Sequence, residues 1–179
     1  MNPNQISHLF TNYQTLVKRV DSHIANIKKA FPDLIACKKG CDGCCKFLTL
    51  FPVEALTLSD AFAHLTEDMK IKVIRKIEKE KEKESCPLLI DRECVLYPAR
   101  PIICRTHGYP IYMETQRRVD FCPENFKGIT SFSKEMMLDI ERLNTLLVMI
   151  NRQFIGSIET DPPFLERIPI SEALLTLCS

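Results

Sequence analysis

Apolar positions recur at helical spacing near the start of the chain. Ile6, Leu9, Phe10, Tyr13, Leu16, Val17, Val20, Ile24 and Ile27 predict an amphipathic helix over about residues 4–30. Pro32 stops it, because proline cannot extend the hydrogen-bond ladder. Pro52 suits the first turn of a second helix, Val53 to about Leu65, and Thr66 suits the cap of a third reaching about Glu84. The third ends in alternating Lys and Glu over residues 79–84, which reads as a solvated helix face laced with i,i+4 pairs. From Ser85 to Phe126 the helical period is lost. Leu88-Leu89-Ile90 and Cys94-Val95-Leu96-Tyr97 flank Asp91-Arg92-Glu93 as a short hairpin, and Ile111–Met113 with Arg118–Phe121 form a second extended pair. Ser133 is placed to cap a last long helix to about Phe154, with Met136, Ile140, Leu143, Leu147 and Ile150 on its apolar face. The tail from Asp161-Pro162-Pro163 reads as an extended connector, and Ser171-Glu172-Ala173-Leu174-Leu175 as one short helical turn.

These elements predict a mainly α fold: a helical domain around an irregular, cysteine-rich metal-binding centre with short β-hairpins. A chain of 179 residues is long enough for one domain with its own core. The expected layout is a single domain over 1–179, with an N-terminal helix at 1–31, a cysteine-cluster core at 37–123, and a C-terminal helix and tail at 130–179. Lys+Arg is 24 against 23 Asp+Glu, so no whole-molecule field would gather phosphate backbones, and nucleic acid is not an expected partner. No apolar run approaches the roughly 20 residues that span a bilayer, so no membrane partner is expected. The first residues lack the basic and apolar regions of a secretory signal. The expected location is therefore cytoplasmic, where structural disulfides are rare.

Nine cysteines in a reducing compartment need another explanation. Cys37, Cys41, Cys44 and Cys45 fall within nine residues in the spacing C-x3-C-x2-C-C, and Cys86, Cys94, Cys104 and Cys122 follow. Thiolates are soft donors that select zinc, copper(I) or iron–sulfur clusters. Gly40 and Gly43 lie inside the knuckle, where backbone must turn sharply around a bound group. Cys44 and Cys45 are adjacent and their side chains diverge, so either one is a reserve thiol or the two face different sites. Eight thiols divide naturally into two sets of four. A zinc ion with four thiolates, or a common four-iron cluster, carries about −2. Lys38, Lys39, Lys46, Arg92, Arg100 and Arg105 stand beside cysteines to offset that charge. Cys178 falls outside the pattern and reads as an ordinary buried thiol. His107, three residues after Cys104, is left out of the ligand set, since eight thiols suffice. His8, His23 and His64 lie on predicted helices as surface or packing residues.

The same residues carry a family signature. Cys37-x3-Cys41-x2-Cys44-Cys45, Cys86-Pro87-Leu88-Leu89, Cys94-Val95-Leu96-Tyr97, Arg100-Pro101-x2-Cys104-Arg105 and Cys122-Pro123 resemble the YkgJ-type cysteine-cluster family of zinc- or iron-chelating domains over roughly residues 37–123. The resemblance implies metal chelation by these eight cysteines, with zinc or an iron–sulfur cluster as cofactor, and it implies no defined activity. It also extends to cysteine clusters in flagellin lysine methylases.

The leading expectation is a metal protein in which metal binding is part of the folding energy. Two alternatives stand beside it. C-x3-C-x2-C is also the spacing of the open-iron cluster in radical S-adenosylmethionine enzymes, which makes an iron–sulfur-dependent redox or methyl-transfer enzyme the second reading. The chain is short for that fold and lacks its strand–helix repeats. The third is a metal-stapled interaction module that presents its helices to a protein partner. Nucleophilic cysteine catalysis fits poorly, because grouped thiols compete for metal and oxidant. In every reading that uses metal, residues 37–45 fold back onto 86–122.

Overall fold

The computed structural model describes residues 3–38, 40–79, 84–158 and 167–175, with side chains from Phe10 onward. In chain order the elements are α1 (Pro3–Ala30), β1 (Thr49–Leu50), α2 (Pro52–Ala63), α3 (Glu67–Lys79), β2 (Leu89–Ile90), β3 (Glu93–Cys94), α4 (Ile102–Thr106), β4 (Ile111–Met113), β5 (Arg118–Asp120), β6 (Leu138–Asp139), α5 (Ile140–Ser157), β7 (Ile168–Pro169) and α6 (Ile170–Leu175), with single 3-10 turns at Tyr97–Ala99 and Lys134–Met136. The class is mainly α with small sheets. No helix among the described residues is long and apolar enough to cross a membrane. The chain divides into two compact units, Met1–Lys38 with Ile102–Ile150 and Lys39–Pro101 with Asn151–Ser179.

In the first unit, α1 buries Tyr13, Leu16, Val20, Ile24 and Ile27, the stripe that the helical period marks. Its last bond runs from the Phe31 N–H to the Ile27 carbonyl at 3.0 Å, one residue before Pro32. The short α4 packs against α1. One guanidinium nitrogen of Arg105 reaches both carboxylate oxygens of Asp21, at 2.9 and 2.7 Å. β4 pairs antiparallel with β5, as the extended pair predicts, and its other edge takes β6 in parallel. Phe31, Phe121, Phe126 and Phe132 meet edge-on, with ring centroids 5.1–6.1 Å apart. This geometry suits the aromatic quadrupole, and it ties the end of α1 to the loop after β5.

The second unit has its own core of Leu50, Ala55, Leu58, Phe62, Val73, Leu88, Leu96, Ile168, Ile170, Ala173 and Leu174, and Cys86 belongs to it. β1 pairs antiparallel with β7, and α2 packs on α6. Pro52 opens α2. Glu54 reaches back to the Phe51 N–H at 3.3 Å, and the buried Asn151 side chain accepts the Val53 N–H at 3.2 Å. Two otherwise orphaned donors of the first turn are thereby satisfied. Thr66 begins α3 by accepting the Met69 and Lys70 N–H groups on its carbonyl, both at 3.0 Å.

Two expected boundaries move. Ser133 starts only a 3-10 turn. The chain then enters β6, with the Leu138 N–H on the Pro110 carbonyl at 2.8 Å, and α5 begins at Ile140 under Asp139, whose carboxylate accepts the Arg142 N–H at 2.9 Å. Pairing with β4 overrides the cap signal. The first hairpin turns on two residues rather than three: Asp91 and Arg92 both hold positive φ, 49° and 63°, so Glu93 joins the strand opposite Ile90. Consecutive positive φ values are the signature of the tight hairpin turn that follows strand twist. α3 is described as far as Lys79; residues 80–83 of the Lys/Glu run lie outside the described residues, as do 161–166 of the expected connector and Cys178.

Candidate metal centre

Cys37, Cys41, Cys44, Cys45, Cys86, Cys94, Cys104 and Cys122 are all free thiols. Cys37, Cys104 and Cys122 lie in the first unit, and the other five lie in the second.

In the second unit the end of the knuckle is stitched to the segment after α3. Lys46 and Ser85 form an antiparallel bridge, the Cys86 N–H donates to the Cys45 carbonyl at 3.1 Å, and the Phe47 N–H donates to the Glu84 carbonyl at 3.3 Å. β2 and β3 then set Leu89 opposite Cys94. Cys45 and Cys94 pack against the core that contains Cys86. Burial is the largest influence on the ionisation of all three. Burial, then the Leu88 hydrogen bond against it, then the charges of Cys94 and Cys45 push the Cys86 thiol up to about 11. Burial and then Cys94 likewise raise Cys45. Burial raises Cys94, while a backbone hydrogen bond from Leu96 and the Arg100 charge pull it back. A nearby cation would favour the ionised form that burial opposes.

The knuckle is also held from the hairpin. Arg92 donates from Nε to Asp42 at 3.1 Å and from a terminal nitrogen to the Gly40 carbonyl at 2.7 Å. Gly40 itself sits at φ 86°, where a side chain is strained. Lys76 on α3 donates to the carbonyls of Cys86 and Leu89 at 3.0 and 2.8 Å. It places a positive charge beside Cys86 that opposes the rise in its pKa.

In the first unit Asn125 is the organising side chain, and it is 0% exposed. Its Oδ1 accepts the Ala36 N–H at 2.9 Å, and its Nδ2 donates to the Gly108 carbonyl at 2.8 Å and to the Cys37 sulfur at 3.4 Å. Its own N–H closes a turn on the Cys122 carbonyl at 2.9 Å, and the next N–H, of Phe126, reaches the Leu34 carbonyl at 2.6 Å. Gly108, at φ 87°, lies so close that an added Cβ would stand 3.4 Å from the Cys37 sulfur and 3.5 Å from Cys122 Cβ. Cys37 and Cys122 thus share one small neighbourhood. Cys104 rises half-buried from α4.

The donor chemistry suits a soft metal, because the grouped side chains are thiols. Among the described residues, no three His, Cys, Asp or Glu side chains close on a point that would hold an ion. Residues 36–123 match the family profile described as CxxCxxCC, "Putative zinc- or iron-chelating domain". Over this segment the chain is similar to the CxxCxxCC family. Neither a curated protein nor a solved structure matches the chain significantly.

The match supports metal binding in general by these residues. The cations expected around the thiols fall into different roles. Arg100 faces Cys94 electrostatically while stacking on Tyr97 at 3.6 Å. Arg92 bonds the knuckle, and Arg105 bonds Asp21. Lys38 and Lys46 are exposed, and Lys39 lies outside the described residues. His107 is exposed.

Sequence reasoning missed Lys76, within the matched segment, and Asn125, two residues beyond its end. Asn125 had one signal, a polar residue wedged between Phe121 and Phe126 in the turn after Cys122-Pro123. Lys76 had none, since it lies on a helix full of solvated lysines.

Proposed function

We propose that the chain holds zinc or an iron–sulfur cluster through the thiolates of Cys37, Cys41, Cys44, Cys45, Cys86, Cys94, Cys104 and Cys122, and that the metal stabilises loops with little regular structure of their own. The observation that carries this reading is the group formed by Cys45, Cys86 and Cys94. Burial disfavours the anionic form of all three thiols, and a bound cation reverses that balance. The division of the cysteines between the units supports two donor sets: Cys41, Cys44, Cys45, Cys86 and Cys94 in one, and Cys37, Cys104 and Cys122 in the other. When bound, the metal supplies charge neutralisation and cross-linking. The protein's own residues supply the positions, through the Arg92 and Lys76 bonds and the Asn125 turn. Free thiols in all eight described positions suit a reducing compartment such as the cytoplasm.

The test is anaerobic purification followed by metal and sulfide analysis and a visible spectrum. Brown protein with iron and inorganic sulfide selects a cluster; colourless protein with stoichiometric zinc selects a zinc site. Protein that takes up neither metal overturns the proposal. Cys86→Ser and Cys122→Ser should each lower metal content partially, and the double variant further. Identical, complete loss from either one argues for a single shared centre.

A further inference from the structure

We infer that Asn125 is a positioning residue that presents the Cys37 sulfur to the metal; the inference rests on the proposed metal binding. An asparagine amide has two ends, and coordinates alone often leave their assignment open. Here the neighbours decide it. The Ala36 N–H needs an acceptor, and the Gly108 carbonyl needs a donor. Only one orientation satisfies both, and that orientation turns Nδ2 towards Cys37 Sγ at 3.4 Å. The side chain is fully enclosed, so neither bond exchanges with solvent, and the N–H bond to sulfur is built in before any metal arrives.

The position of Gly108 adds a second observation. Its Cα leaves just enough room for the amide, since a Cβ there would stand 3.1 Å from Nδ2. Three separated pieces of chain, at 36–37, 108 and 122–125, are therefore registered by one amide. Cys37 and Cys122 are among the pieces it registers. An N–H donated to a metal-bound thiolate stabilises its charge and fixes its direction, and partners of this kind typically contribute 10- to 100-fold to metal affinity.

A merely structural asparagine would also destabilise the fold when replaced, so the test needs a readout specific to the sulfur. Cobalt(II) is the probe, added anaerobically to the full-length chain and followed through its sulfur-to-cobalt charge-transfer absorption, with zinc competition giving the affinity. Asn125→Asp keeps the shape and the acceptor for Ala36 but turns a second oxygen towards Gly108 O and Cys37 Sγ. The expected result is a loss of affinity on the order of 10- to 100-fold, with a shifted charge-transfer band. The deciding variant is Asn125→Asp combined with Cys37→Ser, which should bind no more weakly than Cys37→Ser alone, because the path through the sulfur is already gone. Additive losses, or an unchanged affinity in Asn125→Asp, overturn the inference while leaving metal binding intact.

Should Asn125→Asp fail to fold, Gly108→Ala presses on the same amide from the other side. Its band shift must then disappear in the Cys37→Ser background, and persistence of the shift overturns the inference. Wild-type chain that binds neither cobalt nor zinc overturns the proposed function itself, a different outcome from either.

Discussion

The Asp21–Arg105 pair makes an asymmetric prediction. Arg105 is 8% exposed at its side chain and Asp21 is 47% exposed. Replacing Asp21 by Ala leaves a guanidinium enclosed without that carboxylate. Replacing Arg105 by Met leaves a carboxylate that already faces water and rehydrates. Removing one partner of a fully buried pair costs about 3–5 kcal/mol, whereas exposed pairs contribute about 0–1 kcal/mol. With one partner enclosed and the other half-exposed, Asp21→Ala should cost about 2 kcal/mol. That is roughly thirtyfold in the unfolding constant, at about 1.4 kcal/mol per factor of ten. Arg105→Met, which retains an unbranched apolar stem, should cost no more than about 1 kcal/mol. The double variant should recover most of the loss seen in Asp21→Ala, because the enclosed charge is gone. Urea unfolding followed by far-ultraviolet circular dichroism, on metal-loaded protein, measures all three. The reasoning fails if Arg105→Met is the more damaging change. That result would return Arg105 to the role expected from its place beside Cys104, as counter-charge to the metal centre, and loss of metal from Arg105→Met but not from Asp21→Ala would confirm it.

Cys86 sets a pH limit on the metal-free chain. Its thiol is raised from 9.0 to about 11, so the folded form keeps a proton that the unfolded form gives up. The stabilisation is complete below pH 9 and is lost as pH rises through 11, amounting to about 3 kcal/mol at most. Denaturant unfolding under reductant should show that decline, and Cys86→Val should flatten it; equal slopes in the two proteins would count against the buried-thiol account. Glu141 acts at the other end of the scale. Desolvation pushes its carboxyl up, but hydrogen bonds from the Glu114 N–H, its own N–H and the Thr115 N–H and hydroxyl outweigh this and hold it below the usual carboxylate value. The stability it contributes is present above its unfolded pKa and lost as pH falls through the folded one. Glu141→Gln should weaken that acid dependence and speed amide exchange at Glu114 and Thr115, and unchanged exchange would refute the link. Arg92→Gly relieves a positive φ of 63° and removes the two bonds to Asp42 and Gly40. The hairpin should survive while alkylation of Cys41 in the metal-free chain accelerates severalfold; a rate equal to wild type would show that Arg92 does not hold the knuckle.

The parts of the fold legible in the sequence are those whose cause is local. The stripe from Tyr13 to Ile27 repeats every three or four residues and ends at a proline, so α1 is found within a residue or so of its ends. The pair Ile111–Met113 and Arg118–Asp120 is legible because alternation and a connecting turn coincide. The start of α5 is not, because Ser133 offers a valid cap and only the β4 edge, with the Pro110 carbonyl awaiting a donor, draws residues 138–139 into a strand first. Arg92 in a left-handed conformation is equally opaque. No propensity favours arginine there, and its position follows from bonds to Asp42 and Gly40, about fifty residues earlier in the chain.

The candidate site divides along the same line. Thiol identity and spacing are chemical facts of the string, so all eight proposed ligands are named by the sequence. What orients them is not. Asn125 acts at separations of 88 and 89 residues on Cys37 and Ala36, and Lys76 crosses from α3 to the carbonyls of Cys86 and Leu89. A sulfur that must ionise inside a core depends on such distant groups more than on its sequence neighbours, because charge and hydrogen bonds act through space. Flanking cations illustrate this. Arg105 adjoins Cys104 in sequence yet bonds Asp21, while Lys76, ten residues before Cys86, opposes the rise in its pKa. Cysteine spacing therefore nominates the donors of the proposed centre, and the tertiary fold decides which of them can share a metal and how firmly each would be held.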